Sequence, residues 1–209
     1  MKEILLGVRG GEALGDRFLG EIPINELIDP GTLATQFGIT AGFSSNIEAW
    51  LKFSLDGKIL YVAKKAARFG IPYSSISNQR QTTIKGLRYN MRLLNGTSGL
   101  VTIGSGNWFG EDYNSEWNRL FYPLIPNPTN KPASGISGEG IVFGSWANYT
   151  ESELGIGGNI SGRNTWTNNR YAASYVLTRG EGGVGHRRIE STNTNYTSMG
   201  WRPVLELIP

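Results

Sequence analysis

Residues 49–63 read AWLKFSLDGKILYVA, and this stretch decides the fold class. Leu51, Phe53 and Leu55 alternate with polar side chains, which is the period-two pattern of a β-strand. The next two residues, Asp56-Gly57, accommodate the positive φ angles of a two-residue hairpin turn. Residues 59–63 (ILYVA) are again rich in strand-forming side chains. The stretch therefore predicts a β-hairpin.

Further strands are predicted on the C-terminal side of this hairpin. Residues 87–94 (LRYNMRLL) form one, which Asn95-Gly96 closes, and others are expected at 141–146, 171–177 and 201–208. Pro203 lies in the last of these, and a proline suits an edge strand or the start of a strand. Residues 71–76 (IPYSSI) are predicted as a strand end that enters a turn or a short helix with a serine cap.

A short helix is predicted at residues 115–122 (SEWNRLFY). Trp117, Leu120 and Phe121 are spaced i, i+3 and i+4, so they lie on one helical face. Ser115 precedes them as the N-cap residue, and Pro123 ends the helix. Trp117, like Trp201, is expected in the core.

Glycine is the most informative part of the composition. The chain has 29 glycines in 209 residues, against an average use of about 7 %. Asn, Ser and Thr are abundant after residue 125, so long polar loops are expected at 126–140 and 180–199. The predicted fold class is α+β, β-rich and loop-rich. Residues 1–45 are predicted to be an N-terminal arm or attachment segment, with one helical turn at 24–28, and residues 46–209 the main domain.

The residue types that catalysis needs are nearly absent. There is no cysteine, which excludes disulfides and thiolate chemistry, and there is one histidine, His186. Its glycine-rich, basic context predicts a surface histidine on a loop. One histidine without cysteines also excludes zinc. We therefore expect a protein that is not an enzyme and has no cofactor.

Charge and hydropathy restrict the partners. The net charge is +3 and the isoelectric point is near 9.2, but the basic residues are scattered among acidic ones, so no nucleic-acid partner is expected. No apolar run approaches the roughly 20 residues of a membrane span, and the apolar stretch in residues 1–9 is shorter than that of a signal peptide. We expect no membrane partner and no export by the general secretory route.

Residues 112–118 (DYNSEWN) place oxygen-bearing side chains at alternate positions, as a calcium-binding loop does. An EF-hand is excluded because its turn glycine would be Trp117 and its twelfth residue Pro123. A looser calcium site near Asp112–Glu116 stays an open alternative to helix capping.

Three separated segments together resemble the formylglycine-generating-enzyme-like domains. They are YNMRLL (89–94) with SEW (115–117), IPYSSI (71–76), and YVLTRG (175–180) with GWRPVL (200–205). The resemblance covers roughly residues 45–208 and implies a C-type-lectin-like fold. The enzymes of that family use cysteines, so formylglycine formation is excluded here.

The whole arrangement is also similar to virion structural proteins of tailed bacteriophages. This similarity rests on WLKFSLDGKILYVAKK (50–65), SEWNRLFYPL (115–124) and GWRPVLELI (200–208). It implies a component of the capsid surface, tail or fibre that is made in the host cytoplasm and resides in the virion. The implied partners are other virion proteins and a host-surface glycan or receptor, and a homo-oligomer is expected.

In such lectin-like scaffolds, recognition lies between the strand that ends in RG and the last strand, here residues 181–199. Aromatic, amide and arginine side chains are those that binding loops use. An alternative role for the arginines nearby is structural, with Arg179 and Arg202 buried to fasten the loops. The expected ligand-binding residues are His186, Arg187, Arg188, Asn193, Asn195, Tyr196, Trp166, Asn169 and Arg170, with Asn168 close in sequence.

Two alternatives to ligand binding by a virion protein stay open on the sequence. The first is an architectural decoration or tail subunit, attached through residues 1–45. The second is a glycan-cleaving virion enzyme, since two carboxylates far apart in sequence can meet in a fold.

Overall fold

A computed structural model describes residues 15–97, 108–109, 114–129 and 143–209. Two β-sheets dominate these residues, with two short α-helices and many turns between them. The predicted β-rich, loop-rich α+β class is therefore confirmed. Among the described residues, no helix is long and apolar enough to cross a bilayer.

The first sheet has six strands in the order β1-β3-β4-β13-β7-β6, and every neighbouring pair is antiparallel. The last strand of the chain thus lies in the middle of the sheet, between two strands from the first half. The strands are β1 (Arg17–Pro23), β3 (Ala49–Leu55), β4 (Lys58–Ala63), β6 (Arg80–Ile84), β7 (Leu87–Arg92) and β13 (Val204–Leu207).

The second sheet has seven strands in the order β2-β5-β12-β9-β10-β11-β8, of which only the β12–β9 pair is parallel. Its strands are β2 (Phe43–Ser44), β5 (Arg68–Phe69), β8 (Trp108–Phe109), β9 (Asn164–Ala172), β10 (Tyr175–Gly180), β11 (Gly183–Ser191) and β12 (Met199–Trp201).

The predicted hairpin is confirmed as β3 and β4. Asp56 and Gly57 form its turn with φ angles of 50° and 74°, as a two-residue turn requires. Strand β3 is buried on both faces, including the polar one, where Lys52 is 5 % exposed. Its two faces belong to two apolar clusters, with Trp50 in one and Phe53 in the other. The hairpin therefore lies between the two halves of the core.

The predicted helix is confirmed as α2 (Glu116–Phe121). The Ser115 side chain accepts a hydrogen bond from the Asn118 backbone N–H at 3.2 Å, which makes it the N-cap. The chain then continues as a 3-10 turn at Tyr122–Leu124, so Pro123 changes the helix type at this end. Trp117 is fully buried, as expected.

Residues 71–76 contain a 3-10 turn at Tyr73–Ser75, which confirms the predicted short helix. The predicted serine cap is wrong, because the residue before the turn is Pro72 and no side chain caps it. A second α-helix, α1 (Pro30–Gln36), was not expected. Asp29 caps it by accepting a hydrogen bond from the Thr32 N–H at 2.8 Å.

Residues 15–45 pack against the rest of the chain. Strand β1 pairs with β3 at the edge of the first sheet, and Leu33 and Ala34 of α1 are fully buried in the core. The predicted helical turn is present as a 3-10 turn at Ile24–Glu26. The sheet therefore shows no break at residue 45, and the attachment role of this segment stays a prediction.

Three secondary-structure predictions in the C-terminal half are wrong. The strand expected at 171–177 is two strands, since Ala173 and Ser174 form the turn between β9 and β10. The part of the strand expected at 141–146 that is described, 143–146, forms turns and bends. The loop expected at 180–199 contains the nine-residue strand β11, whose backbone pairs with β10 and β8. Backbone pairing with a strand on each side stabilises β11, although its polar sequence does not predict a strand.

The strand expected at 201–208 is divided between the sheets. Arg202 and Pro203 separate β12 of the second sheet from β13 of the first. Pro203 precedes a central strand, so it marks a strand start and not an edge. Trp201 is fully buried, as expected. Of the loop expected at 126–140, residues 130–140 lie outside the described residues.

Candidate functional site

The nine predicted ligand-binding residues differ in solvent exposure. Trp166, His186 and Arg187 are buried, and Asn169 is half-buried. The other five are exposed, as is the neighbouring Asn168. These five are Arg170, Arg188, Asn193, Asn195 and Tyr196.

Trp166 and His186 belong to the interior of the second sheet. The Trp166 ring is fully buried, and its Nε1–H donates to the Ile71 carbonyl oxygen at 2.7 Å. His186 lies in β11 and is 4 % exposed, so the prediction of a surface histidine on a loop is wrong. Burial lowers the pKa of His186, and the nearby Glu181 partly opposes this. Neither side chain is placed to contact a ligand from solvent.

Arg187 is buried in the fold, and Asn169 makes hydrogen bonds that hold another segment of the chain. Arg187 is 5 % exposed on β11. The Asn169 side-chain oxygen accepts a hydrogen bond from the Gly96 N–H at 2.7 Å, and its amide donates to the Thr97 carbonyl oxygen at 3.4 Å. Asn169 therefore holds the segment after β7 against the second sheet.

Arg179 and Arg202 are buried, as the structural alternative predicted. Arg179 donates to the Asn118 side-chain oxygen. Arg202 donates to the carbonyl oxygens of Lys64 and Leu154, both at 2.6 Å. Arg202 therefore fastens loop segments to the core, whereas Arg179 contacts helix α2, and neither side chain faces solvent.

The exposed candidates cluster at the connection between β11 and β12, residues 192–198. Three large hydrophobic side chains are exposed in the part of the chain that the structure describes: Phe43 at 61 %, Tyr175 at 47 % and Tyr196 at 69 %. All three border this connection. We call Phe43, Tyr175, Asn193, Asn195 and Tyr196 together the turn surface.

Tyr175 and Phe43 each lie beside a different part of the 192–198 connection. Tyr175 pairs in register with Ser191, the last residue of β11. Gly70 lies between Phe43 and Asn195, since a methyl group at this glycine would be 3.4 Å from the Phe43 ring and 3.6 Å from the Asn195 carbonyl oxygen. The Phe43 ring stacks on Phe69 with centroids 5.5 Å apart.

Backbone hydrogen bonds hold the 192–198 connection along its length. The Thr192 N–H donates to Ser174 O at 2.9 Å, and the Tyr73 N–H donates to Thr192 O at 3.0 Å. At the other end, Thr197 O accepts from the Gly162 N–H at 2.8 Å. The exposed side chains are therefore presented on a fixed backbone, which lowers the entropy cost of binding.

Arg170 and Arg188 flank the turn surface but have partners within the protein. Arg188 pairs with Glu190 at 2.8 Å and with Glu181 at 3.1 Å. Arg170 donates to the Ala173 carbonyl oxygen at 3.1 Å, and its guanidinium lies 5.4 Å from the Tyr73 ring centroid. Both positive charges are thus partly engaged before any ligand arrives.

A polar cleft of about 450 Å³ lies elsewhere on the surface, and sequence reasoning missed it. The only available signal was the polar run 148–152 (NYTES), in which Asn148-Tyr149-Thr150 is merely a formal glycosylation sequon. The cleft is lined by residues from five segments, so no single motif shows it. They are Pro126, Asn127, Thr129, residues 148–152, 156–158, Ile160 and Gly182.

Glu151 fixes the walls of the polar cleft. One carboxylate oxygen accepts from the Val184 N–H at 2.6 Å and the other from the Thr129 N–H at 3.1 Å. The Ile156 N–H donates to the Glu151 carbonyl oxygen at 2.8 Å, and the Tyr149 N–H donates to Leu124 O at 2.9 Å. Three segments are thereby tied together around the cavity.

The Tyr149 hydroxyl at the cleft is engaged with charged neighbours. It donates to Glu21 at 2.6 Å, and Glu21 also pairs with Lys64 at 2.5 Å. Burial and the hydrogen bond to Glu21 raise the pKa of Tyr149. This side chain therefore stays neutral over the physiological pH range.

No group of three His, Asp or Glu side chains that could hold a metal ion occurs among the described residues. Of the calcium candidate at Asp112–Glu116, Asp112 lies outside them. The Glu116 carboxylate is occupied, because it pairs with Arg92 at 2.6 Å and accepts from the Asn95 N–H at 2.8 Å. The engagement of the Glu116 carboxylate therefore favours the alternative of helix capping, which Ser115 provides.

Comparisons of the chain with protein-family models, with curated proteins and with solved structures find no match.

Proposed function

We propose that this protein is a non-enzymatic structural protein of a tailed-bacteriophage virion that binds a host-surface glycan or receptor through the turn surface. In this proposal it decorates the capsid or tail, or forms part of a fibre. It assembles with other virion proteins, including further copies of itself. Its β-rich α+β architecture with long irregular connections is compatible with the finer proposal of a C-type-lectin-like fold.

One observation carries the binding proposal. The three exposed large hydrophobic side chains of the described residues all border one connection, which also presents Asn193 and Asn195. Exposed aromatic residues along one connection supply apolar area for an interaction site. Tyrosine and asparagine together supply rigid contact area and adaptable hydrogen bonds. The burial of the sole histidine supports the absence of catalysis, since a substrate cannot reach His186 from solvent.

A binding experiment on cells of the bacterial host tests this proposal. The double variant Asn195→Ala/Tyr196→Ala is compared with wild type and with Asn78→Ala/Gln79→Ala, which changes two exposed residues elsewhere. We expect the first variant to lose at least about tenfold in cell binding, which corresponds to about 1.4 kcal/mol. Both variants should melt within about 2 °C of wild type, because surface substitutions change stability by only about 0.5 kcal/mol.

Equal cell binding by wild type and the Asn195/Tyr196 variant would contradict the proposal. Release of reducing sugar from host polysaccharide by the purified protein would contradict its non-enzymatic part and favour a glycan-cleaving enzyme.

A second candidate function is purely architectural, and Phe43 favours it. This side chain is 61 % exposed on β2, the edge strand of the second sheet. Among the described residues no strand pairs with the outer edge of β2, and an apolar ring beside such an edge suits a contact with another protein. In that case Phe43→Ser lowers incorporation into particles, whereas the Asn195/Tyr196 variant is incorporated normally and still binds cells.

A further inference from the structure

We infer that the polar cleft is a binding site for an uncharged saccharide unit. The inference goes beyond the proposed function, because the cleft shares no residue with the turn surface. It also does not depend on whether the protein resides in a virion.

The size of the cleft suits a small ligand. Its volume of about 450 Å³ lies within the roughly 300–1,000 Å³ that small-molecule sites occupy. The Glu151 carboxylate holds the segments of Thr129 and Val184 beside each other through their backbone N–H groups. The site is therefore formed before a ligand binds, and little ordering cost is added on binding.

The polar groups offered to a ligand are neutral. Asn127 and Asn148 are exposed in the cleft, and their side chains make no hydrogen bond within the part of the chain that the structure describes. An amide has two donors and an acceptor with two lone pairs. Two such groups match the vicinal hydroxyls of a sugar, each of which both donates and accepts. The Thr129 and Ser152 hydroxyls add further groups of the same kind.

The ionisable residues that line the cleft, Glu151 and Tyr149, offer no positive charge to an anionic ligand. Glu151 accepts backbone hydrogen bonds with both of its oxygens. Tyr149 donates to Glu21, and its raised pKa keeps it neutral. No Lys or Arg lines the cleft among the described residues. An anionic ligand would therefore gain no ion pair from the described lining residues to offset its lost hydration.

Ligand-detected NMR on the full chain tests the inference. The neutral probes are D-glucose, D-galactose, D-mannose and N-acetyl-D-glucosamine, and the charged ones are D-glucuronate and D-glucose 6-phosphate. We expect at least one neutral sugar to bind saturably in the millimolar range, and its charged counterparts to bind at least tenfold more weakly. The variant Asn127→Ala/Asn148→Ala should weaken that binding at least tenfold while its melting temperature stays unchanged.

Two controls separate this site from the turn surface. Asn78→Ala and Asn195→Ala/Tyr196→Ala should both bind the sugar as wild type does. The inference is overturned if no neutral probe binds, if a charged probe binds as tightly, or if the Asn127/Asn148 variant binds normally. Loss of sugar binding in the Asn195/Tyr196 variant alone would place the sugar at the turn surface and also overturn it. Cell binding is a separate readout, so failure here leaves the proposed function to its own test.

Discussion

His186 is the single histidine of the chain, and it lies in β11 with 4 % of its surface exposed. Burial lowers its pKa below the ordinary 6.5, and the positive charges of Arg179 and Arg188 act in the same direction, against Glu181. A buried neutral imidazole binds its proton more weakly in the folded chain than in the unfolded one. Its contribution to stability is therefore complete above about pH 6.5 and decreases as the pH falls below that value.

The corresponding prediction concerns His186→Gln. Between about pH 7.5 and about pH 5, the melting temperature of wild type should fall further than that of the variant, since glutamine has no proton to gain. The comparison isolates the effect of His186 from that of Glu190 on the same strand. Burial raises the pKa of Glu190, so the effect of Glu190 on stability has the opposite pH dependence. Equal pH dependence of the two proteins would contradict the prediction. Melting scans across this pH range are the measurement.

Arg202 is fully buried and bridges the carbonyl oxygens of Lys64 and Leu154. Its guanidinium also lies 5.0 Å from the Phe121 ring centroid. We expect Arg202→Lys to lower the free energy of unfolding by about 1–3 kcal/mol, because one ammonium group cannot serve both carbonyls and leaves a buried acceptor without a donor. Urea unfolding measures this, with Arg170→Lys on the surface as the control. An unchanged unfolding midpoint for Arg202→Lys would show that the bridge contributes nothing.

At the scale of elements, the hairpin of β3 and β4 depends on its turn. Gly57 has a φ of 74° with open space around its Cα, so a side chain there meets only a backbone penalty. Gly57→Ala should destabilise the protein by about 1–2 kcal/mol, the cost of the left-handed conformation for a residue with a Cβ. Gly15→Ala is the control, since Gly15 has equally open space but no positive φ. Equal stability of the two variants in urea would contradict this.

The N-terminus of α2 depends on Ser115, which is 1 % exposed. Ser115→Ala removes the acceptor for the Asn118 N–H and should cost about 0.5–2 kcal/mol, whereas Ser115→Asp retains an acceptor. Unfolding by urea, followed by circular dichroism, compares the two. The account of the cap fails if Ser115→Ala is as stable as wild type.

The sequence correctly predicts those elements that depend on contacts between residues close together in the chain. The Asp56-Gly57 turn and the Ser115 cap each act within four residues, and both are present as predicted. Strand β11 was missed because its pairing with β10 and β8, and not its own composition, stabilises it. The division of the last strand at Arg202-Pro203 also depends on distant contacts, since its halves pair with different sheets.

At the scale of the whole molecule, both candidate sites are assembled from segments far apart in the chain. The turn surface combines residue 43 with residues 175 and 196, and the polar cleft combines residues 127, 148 and 182. Five of the nine predicted ligand-binding residues are exposed, and three of these lie in the turn surface. Phe43 had no local signal and the cleft had only the polar run 148–152, because the fold alone brings their neighbours together.

Electron microscopy of the proposed virion tests the central claim most directly. The two functions assign opposite surroundings to the turn surface: open to solvent for a host-binding protein, covered by another virion protein for an architectural subunit. We predict that Phe43, Tyr175 and Tyr196 face outward and contact no neighbouring subunit. A map in which these three side chains are buried against another virion protein would contradict the claim.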